Sequence, residues 1–243
     1  MRVTNSCRDR AVQNMFDRIA RRYDLLNRVI SFRFDRRWRR QAVRALLSPP
    51  SPLLLDIGTG TGDLAFEALA ESGGRARAIG MDFSLPMLRL AQTKQRKTPH
   101  GSRAAWIMGN AMLAPFKDGV FDGVMTAFVL RNVSDLDKFF PEAFRVLKPG
   151  GTCVCLDMFP PAAGWFAKLY GLYFYCVMPW MAGRLAGDRQ AYRYLSESVR
   201  AFHAPETIAR LMQSAGFSEV AMRKFLCGAV CLHIARKFPS AAR

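Results

Sequence analysis

A glycine-rich turn after the first strand-like run is the clearest candidate for a ligand-binding element. The apolar run 53–57, LLLDI, leads directly into residues 58–62, GTGTG. Glycine lets the backbone pass close to a ligand, and amide groups at the start of a helix attract negatively polarised groups. Such turns also serve as simple tight connections. We expect a ligand to lie against this turn because of the residues that accompany it.

Polar residues end the next two strand-like runs. Asp82 lies twenty-four residues after Gly58, where a carboxylate can accept hydrogen bonds from both ribose hydroxyls of an adenosine. Residues 109–111, Gly-Asn-Ala, end the third run, and an amide side chain there can read an adenine edge or merely form a turn. The dinucleotide fingerprint G-x-G-x-x-G requires glycine where Asp63 stands, which makes NAD the less favoured ligand.

Alternating strands and helices would position these residues. Strand-like runs occupy 53–57, 76–82, 104–108, 121–130 and 152–158, and helical stretches begin at 63, 84 and 136. This alternation predicts an α/β fold with a doubly wound, mostly parallel sheet. A helix over 205–215 precedes two further runs, 217–225 and 228–238, which are close enough to pair as a C-terminal hairpin and complete seven strands.

The residues above resemble those of the class I methyltransferases that use S-adenosylmethionine (SAM). The resemblance covers roughly 53–237 and includes the Pro-Gly-Gly turn before the fifth strand and the C-terminal hairpin. It implies that SAM is the cofactor. Its implied contacts are Gly58, Gly60 and Thr61 along the methionine and sulfonium, Asp82 on the ribose, and Asn110 with Ala111 on the adenine. Asp56 either joins this set or only orients the turn.

Further motifs resemble the ubiquinone/menaquinone biosynthesis C-methyltransferase family. They are F-D-x-I-A-x-x-Y-D-x-x-N at 16–27, L-R-N-V at 130–133, D-x-x-x-Y-x-Y-L-x-x-S at 188–198 and G-x-V-x-L-H at 228–233. The resemblance implies methylation of a ring carbon of a prenylated benzoquinol or naphthoquinol. Small departures, such as Ala127 and Asp157-Met158 in place of the usual Ser and Glu-Phe, concern the fine contacts of the site.

Within that resemblance, Arg131, Asn132, Tyr23 and Asp24 are the catalytic candidates. Removing a phenolic proton makes the adjacent ring carbon nucleophilic, so no metal is needed. Arg131 would stabilise the phenolate or orient a water, because a guanidinium is a poor base. Asn132 would position a quinol oxygen, and Tyr23 with Asp24 would complete a proton path. Alternatively, Tyr23 is a core residue and Arg131 only pairs with Asp135.

The N-terminal region is strongly basic. The chain of 243 residues has a net charge of +17, and residues 1–44 contain thirteen Arg and four Asp. We expect 1–48 to form a helical lid with a basic arm, joined by the proline-rich residues 48–52 to a methyltransferase domain over 53–237. Trp38, surrounded by arginines, could lie at an anionic membrane surface or face the core. An insertion at 160–200 contains the uncharged run 169–183, which is interrupted by Pro179 and too short to span a bilayer. This run could line an apolar pocket for an isoprenoid tail, rest on a bilayer surface or cap the core.

Other classes are less favoured. The six cysteines lack a C-x-x-C pair and metal-ligand spacing, and the arginine-rich N-terminus is not a secretory signal, so a cytoplasmic enzyme with reduced thiols is expected. The segment after strand four lacks the D/N-P-P-F/Y motif of base methylation. Competing hypotheses are methylation of another small or lipid-like molecule and a basic nucleic-acid-binding protein that retains SAM. A homodimer is compatible with the sequence.

Overall fold

Seven strands form one sheet within the part of the chain that the computed structural model describes, residues 7–31, 33–161, 164–174 and 189–238. The strands are β1 (Leu53–Ile57), β2 (Arg77–Asp82), β3 (Ala104–Met108), β4 (Phe121–Ala127), β5 (Leu147–Met158), β6 (Ser218–Phe225) and β7 (Val230–Arg236). The helices are α1 (Cys7–Ile30), α2 (Phe34–Arg44), α3 (Asp63–Glu71), α4 (Leu85–Gln95), α5 (Leu136–Val146), α6 (Trp165–Leu172), α7 (Arg189–Arg200) and α8 (Pro205–Ser214).

The strand order β3-β2-β1-β4-β5-β7-β6 confirms the predicted fold class. Strands β1 to β5 pair in parallel, whereas β7 runs antiparallel between β5 and β6, as expected for a C-terminal hairpin. From β1 the chain adds β2 and β3 on one side, and it then returns to add β4 and β5 on the other side of β1. Ligands of open α/β sheets bind in the crevice at such a reversal, beyond the carboxyl ends of the strands.

Two apolar layers hold the helices against the sheet. On one face, Phe139 and Phe140 of α5 and Met212 of α8 are fully buried. On the other, Val43 of α2 and Leu69 of α3 are fully buried. Helices that enclose the crevice begin at polar caps near the same edge: Ser84 accepts a hydrogen bond from the Met87 N–H before α4, and Asp135 accepts one from the Lys138 N–H before α5.

The membrane-surface hypothesis for Trp38 is wrong. Its side chain is 7% exposed and packs in the core layer with Ala42 and Val43, because one face of α2 lies against the sheet and α3. Arg39 is buried too and pairs with Asp35 at 2.8 Å. Helix α2 is therefore a core helix, and the description of a lid separate from the core applies at most to α1.

Two predicted strand boundaries are also wrong. Strand β4 ends at Ala127, not at 130, because Phe128 adopts a positive φ of 64° that extended structure does not allow. Strand β5 begins at Leu147, not at 152, because Leu147 already pairs with Phe121. The register then shifts before Gly123 pairs with Thr152, so the Pro-Gly-Gly turn lies within an irregular strand.

The apolar insertion is described only in part. Of the region predicted at 160–200, residues 162–163 and 175–188 lie outside the described residues, and so does most of its apolar run. The described portion contains α6, Phe174 and α7. Among the helices that the structure describes, none is long and apolar enough to cross a membrane.

Candidate functional site

The glycine-rich turn is fastened to the end of β2. The Gly58 N–H donates to the Met81 carbonyl oxygen at 2.8 Å, and the Gly60 N–H donates to Asp82 Oδ2 at 2.8 Å. Both glycines have positive φ values, 70° and 56°. A Cβ atom at Gly58 would lie 2.5 Å from Val129 Cγ2, so glycine is required there for space as well as for conformation. These contacts place the turn at the crevice between β1 and β4.

Asp56 supports the turn from beneath. Its Oδ2 accepts a hydrogen bond from Thr59 Oγ1 at 2.6 Å, and the residue is 1% exposed. Burial raises the pKa of Asp56 to about 7, against the opposing hydrogen bonds from Thr59 and the Ala65 backbone. The side chain does not line the pocket above the turn. Of the two alternatives, the geometry favours an orienting role for Asp56 over a cofactor contact.

A pocket lies above the ends of β1, β2 and β3, and we call it the cofactor pocket. It brings together four of the predicted cofactor residues, namely Gly58, Asp82, Asn110 and Ala111. The other lining residues are Asp9, Val12, Ile57, Met81, Phe83, Gly109, Met112, Val129, Asn132, Val133 and Ser134.

Asp82 and Asn110 carry the polar chemistry of this pocket. Asp82 accepts the N–H groups of Gly60 and Ser84, one on each carboxylate oxygen, which leaves each oxygen with a further lone pair. Burial raises the pKa of Asp82 to about 6 despite these hydrogen bonds. Asn110 Oδ1 accepts the Met112 N–H at 2.9 Å. Asn110 therefore forms a turn and lines the pocket at once.

Thr61 and Asp24 are bound to each other outside the cofactor pocket. Thr61 Oγ1 donates to Asp24 Oδ1 at 2.5 Å, and Lys94 Nζ lies 2.8 Å from Asp24 Oδ2 and 3.1 Å from Thr61 Oγ1. Lys94 also pairs with Asp63. We call these four residues the α1 latch. Asp24 therefore anchors α1 to the glycine-rich turn and to α4, and the proton-path role predicted for it is not supported by this position. A SAM contact through the Thr61 hydroxyl likewise stays a prediction.

Helix α1 covers the cofactor pocket along its length. Gln13 Nε2 donates to the Phe83 carbonyl oxygen at 2.5 Å, and Ser84 Oγ donates to Asp17 Oδ1. Asp9 and Val12 line the pocket itself. Neither of these two residues belongs to a sequence motif that predicts a place in the pocket. The apolar periodicity of α1 indicates a buried face, but it does not indicate which cavity that face closes.

A second cavity lies on the other side of the segment after β4, and we call it the apolar cavity. Aromatic and aliphatic side chains form most of its wall, and the polar residues among them include Asn27, Ser31, Asp35 and Arg131. The remaining lining residues are Phe34, Trp38, Phe128, Met158, Tyr170, Tyr173, Phe174, Leu195, Leu226 and Val230. The described part of the insertion thus contributes directly to this cavity.

Residues 128–133 form the partition between the two cavities. Val129 and Asn132 line the cofactor pocket, whereas Phe128 and Arg131 line the apolar cavity. A short 3₁₀ turn over Leu130–Asn132 accounts for this arrangement, because side chains three residues apart in a 3₁₀ helix lie on the same side. The two leading catalytic candidates therefore lie next to each other in sequence but face different cavities.

Arg131 is held by a buried carboxylate. Its Nη1 donates to Asp157 Oδ1 at 2.6 Å, and Asp157 on β5 is fully buried. Asp135, the partner considered from sequence, instead caps α5 and pairs with Lys138 at 2.8 Å. That alternative is therefore wrong. Asp157 was noted in the sequence only as a departure from the family pattern, since its partner lies 26 residues away on another element.

Asn132 and Tyr23 complete the polar surroundings of the partition. Asn132 Oδ1 accepts a hydrogen bond from the Tyr194 hydroxyl of α7 at 3.0 Å, and its Nδ2 donates to the Phe128 carbonyl oxygen at 3.3 Å. Its predicted contact with a quinol oxygen stays a prediction. The Tyr23 ring lies over Gly60. Burial raises the pKa of Tyr23, while the Asn27 side chain and the Arg131 charge act in the opposite direction, so Tyr23 stays protonated at neutral pH.

Comparison with known proteins identifies close relatives across the whole chain. The model of the ubiE/COQ5 methyltransferase family matches residues 3–237. A demethylmenaquinone methyltransferase of Thermus thermophilus is 44% identical over 220 residues, covering 90% of this chain and 98% of the relative. A ubiquinone/menaquinone biosynthesis C-methyltransferase of Desulfotalea psychrophila is 41% identical over 222 residues, covering 91% and 88%.

Solved structures share the fold at lower identity. A SAM-dependent methyltransferase of Thermotoga maritima, described as a possible histamine N-methyltransferase, superposes with a TM-score of 0.63 at 22% identity, covering 92% of this chain and 98% of that one. A phosphoethanolamine N-methyltransferase of Haemonchus contortus in complex with SAM gives a TM-score of 0.58 at 18% identity, covering 82% and 52%. These likenesses concern the fold alone.

Proposed function

The chain belongs to the ubiE/COQ5 methyltransferase family, and from this premise we propose that it methylates a ring carbon of a demethylated prenylquinol. It is a SAM-dependent methyltransferase of quinone biosynthesis, in agreement with its relatives. The apolar cavity beside the cofactor pocket is the observation that supports this acceptor. A mostly aromatic wall suits a planar ring with a hydrocarbon tail far better than a small polar substrate.

The residues of the cofactor pocket fit SAM. Asp82 has free lone pairs for two ribose hydroxyls, and Asn110 with Ala111 offers amide groups to an adenine edge. Gly58 brings the backbone against the ligand. When bound, SAM supplies an electrophilic methyl group on its sulfonium. Helix α1 then excludes water from the pocket, since Asp9 and Val12 form part of its wall.

Arg131 is the group placed to act on the acceptor. It lines the apolar cavity and places a guanidinium, a donor of several N–H groups, beside the acceptor. The guanidinium charge stabilises the phenolate form of a quinol whose hydroxyl proton has passed to water, and so raises the electron density of the neighbouring ring carbon. Asp157 fixes the guanidinium plane, and the partition turns Arg131 toward the ring while Asn132 faces the cofactor.

We also propose that an anionic membrane surface is the partner from which the acceptor enters. Phe34 and Leu226 line the apolar cavity yet are 45% and 43% exposed, which places them at its mouth. The exposed Arg33, Arg36 and Arg37 flank Phe34 in sequence. Apolar side chains beside arginines suit the boundary between lipid tails and anionic headgroups.

A methylation assay tests the acceptor. Purified protein is incubated with SAM carrying a labelled methyl group and with prenylated demethylquinols of the benzoquinol and naphthoquinol series, kept reduced with borohydride. Mass analysis should locate the label on a ring carbon of at least one of them. Label on a soluble phenol or a sterol-like lipid, with none on any quinol, would replace the prenylquinol by that acceptor.

A further inference from the structure

Two residues that line the apolar cavity have a buried side-chain N–H group without a hydrogen-bond partner among the described residues. One is Asn27 Nδ2, on α1, and the other is Arg131 Nε, on the partition. Two other polar residues of the same wall are hydrogen-bonded to each other, since Ser31 Oγ donates to Asp35 Oδ1 at 2.7 Å. Buried polar groups are almost always hydrogen-bonded, so two such donors in one cavity indicate a ligand with acceptors.

We propose that Asn27 is the second polar anchor of the acceptor and holds the ring oxygen that Arg131 does not hold. This inference rests on the proposed function, because it assigns the two oxygens of a quinol ring to two donors of one cavity. Arg131 contacts the oxygen whose ionisation activates the ring. Asn27 contacts the other oxygen and thereby fixes the rotation of the ring, which decides which carbon faces the cofactor pocket.

Each donor stands on a rigid support. Asn27 lies one helical turn after Tyr23 and Asp24, and the α1 latch fixes this turn to the glycine-rich loop. Arg131 is fixed by the fully buried Asp157. Two donors on separate elements can orient a ring only when both elements are held, since a misplacement of about 1 Å can cost two orders of magnitude in rate. The latch and the ion pair meet this condition.

The test compares Asn27→Leu and Asn27→His with Asn14→Leu. The control makes the same chemical change on the same helix, at an exposed residue that lines neither the cofactor pocket nor the apolar cavity. Asn27→Leu removes the donor at similar size, and Asn27→His restores one. We expect Asn27→Leu to raise KM for the quinol about tenfold, the effect of one lost hydrogen bond to a polar substrate group, with SAM affinity unchanged. Asn27→His should recover part of this loss.

A substrate analogue makes the test independent of folding. The analogue is a prenylated phenol with one ring hydroxyl, so it lacks the oxygen assigned to Asn27. The wild-type enzyme should lose about tenfold in kcat/KM on this analogue relative to the quinol, whereas Asn27→Leu should treat the two alike. Equal discrimination by wild type and Asn27→Leu would overturn the assignment, and so would a loss of SAM binding that parallels the loss of activity. A wild-type enzyme that methylates no quinol would instead contradict the proposed function.

Discussion

At the scale of single residues, Asp82 is buried, yet its carboxylate has to be ionised to accept hydrogen bonds from both ribose hydroxyls. Its carboxylate accepts two backbone N–H groups and faces the cofactor pocket, while burial raises its pKa to about 6. Only the ionised form can accept from both ribose hydroxyls while keeping its backbone hydrogen bonds, because protonation converts one oxygen into a donor. The cofactor site is therefore sensitive to mild acid.

This sensitivity predicts a pH-dependent affinity for SAM. The raised pKa means that Asp82 is ionised above pH 7 and becomes protonated as the pH falls through about 6. Affinity should therefore be constant at high pH and decrease about tenfold between pH 7 and pH 5. Isothermal titration calorimetry across this range measures the effect. Asp82→Asn should bind more weakly and lose the pH dependence near 6, and an unchanged profile in that variant would assign the effect to another group.

Removing both members of the Arg131–Asp157 pair should have different effects on stability and on activity. Arg131→Met leaves the carboxylate of Asp157 buried and unpaired, so the free energy of unfolding should fall by about 3–5 kcal/mol. The double variant Arg131→Met/Asp157→Leu removes both charges and should regain most of that loss. Neither variant should methylate at more than about one hundredth of the wild-type rate.

Urea unfolding and the methylation assay separate the two effects. Recovery of stability without recovery of activity would show that Arg131 acts on the reaction itself. A double variant that is as unstable as the single one would instead mean that the pair matters for packing, and an active double variant would remove Arg131 from the mechanism.

Sequence predicts those site residues that directly follow a strand. It does not predict a residue whose role depends on a partner distant in sequence. Gly58, Asp82, Asn110 and Ala111 follow strand ends directly, and parallel strands bring such positions to one edge, so the four line one pocket. Lys94, by contrast, carries no motif. Its role depends on α1 passing over α4, a long-range contact that no local pattern of charges specifies.

At the scale of elements, the glycine-rich turn has no room for a side chain at Gly58. A Cβ atom at Gly58 would meet Val129 of the partition at 2.5 Å, whereas one at Gly73, whose φ is also positive at 60°, would meet nothing within 4 Å. Gly73→Ala should therefore cost only the backbone strain of about 1–2 kcal/mol. Gly58→Ala should cost about 3 kcal/mol or more and also weaken SAM binding, because the turn and the partition must separate.

Thermal unfolding with and without SAM measures both costs. The Gly73 variant controls for conformation alone, so equal losses in the two variants would contradict the role given to Val129.

The α1 latch predicts how fast the cofactor exchanges. Lys94→Met removes the ion pairs of Asp24 and Asp63, so α1 should open more often and SAM should dissociate about three- to tenfold faster. Lys148→Met is the control, since it removes a lysine ion pair, with Asp122, at a residue that lines neither cavity. Stopped-flow fluorescence follows dissociation. Equal rates in both variants would mean that the latch does not control access.

Elements also show where sequence patterns are insufficient. The arginines around Trp38 favour a surface site, yet α2 packs in the core because Trp38, Ala42 and Val43 lie together on its buried face. The run FDGVMTAFVL reads as one long strand, yet the positive φ of Phe128 ends β4 early and creates the partition. Both outcomes depend on tertiary packing, which overrides local propensity.

At the scale of the whole molecule, the basic surface and the cavity mouth should act together at a membrane. Each exposed arginine near an anionic surface contributes about 1 kcal/mol, so Arg33→Gln/Arg36→Gln/Arg37→Gln should weaken binding to phosphatidylglycerol vesicles roughly 100-fold. The control Arg89→Gln/Arg96→Gln/Lys97→Gln makes the same charge change at exposed residues of α4 and the turn after it.

Vesicle flotation compares the two triple variants. The control should lose far less binding, and neither triple variant should change SAM affinity. If both lost binding equally, net charge rather than the cavity mouth would explain the attraction, and binding to phosphatidylcholine vesicles of equal strength would exclude an electrostatic cause.

The partition has a kinetic consequence. The cofactor pocket and the apolar cavity have no lining residue in common, because the partition, residues 128–133, lies between them. Either ligand can therefore arrive or depart while the other stays in place, and initial-rate plots should intersect without the pattern of a compulsory order. An enzyme resting on a bilayer could then exchange spent cofactor with the surrounding water between successive lipid acceptors, without dissociating after each turnover.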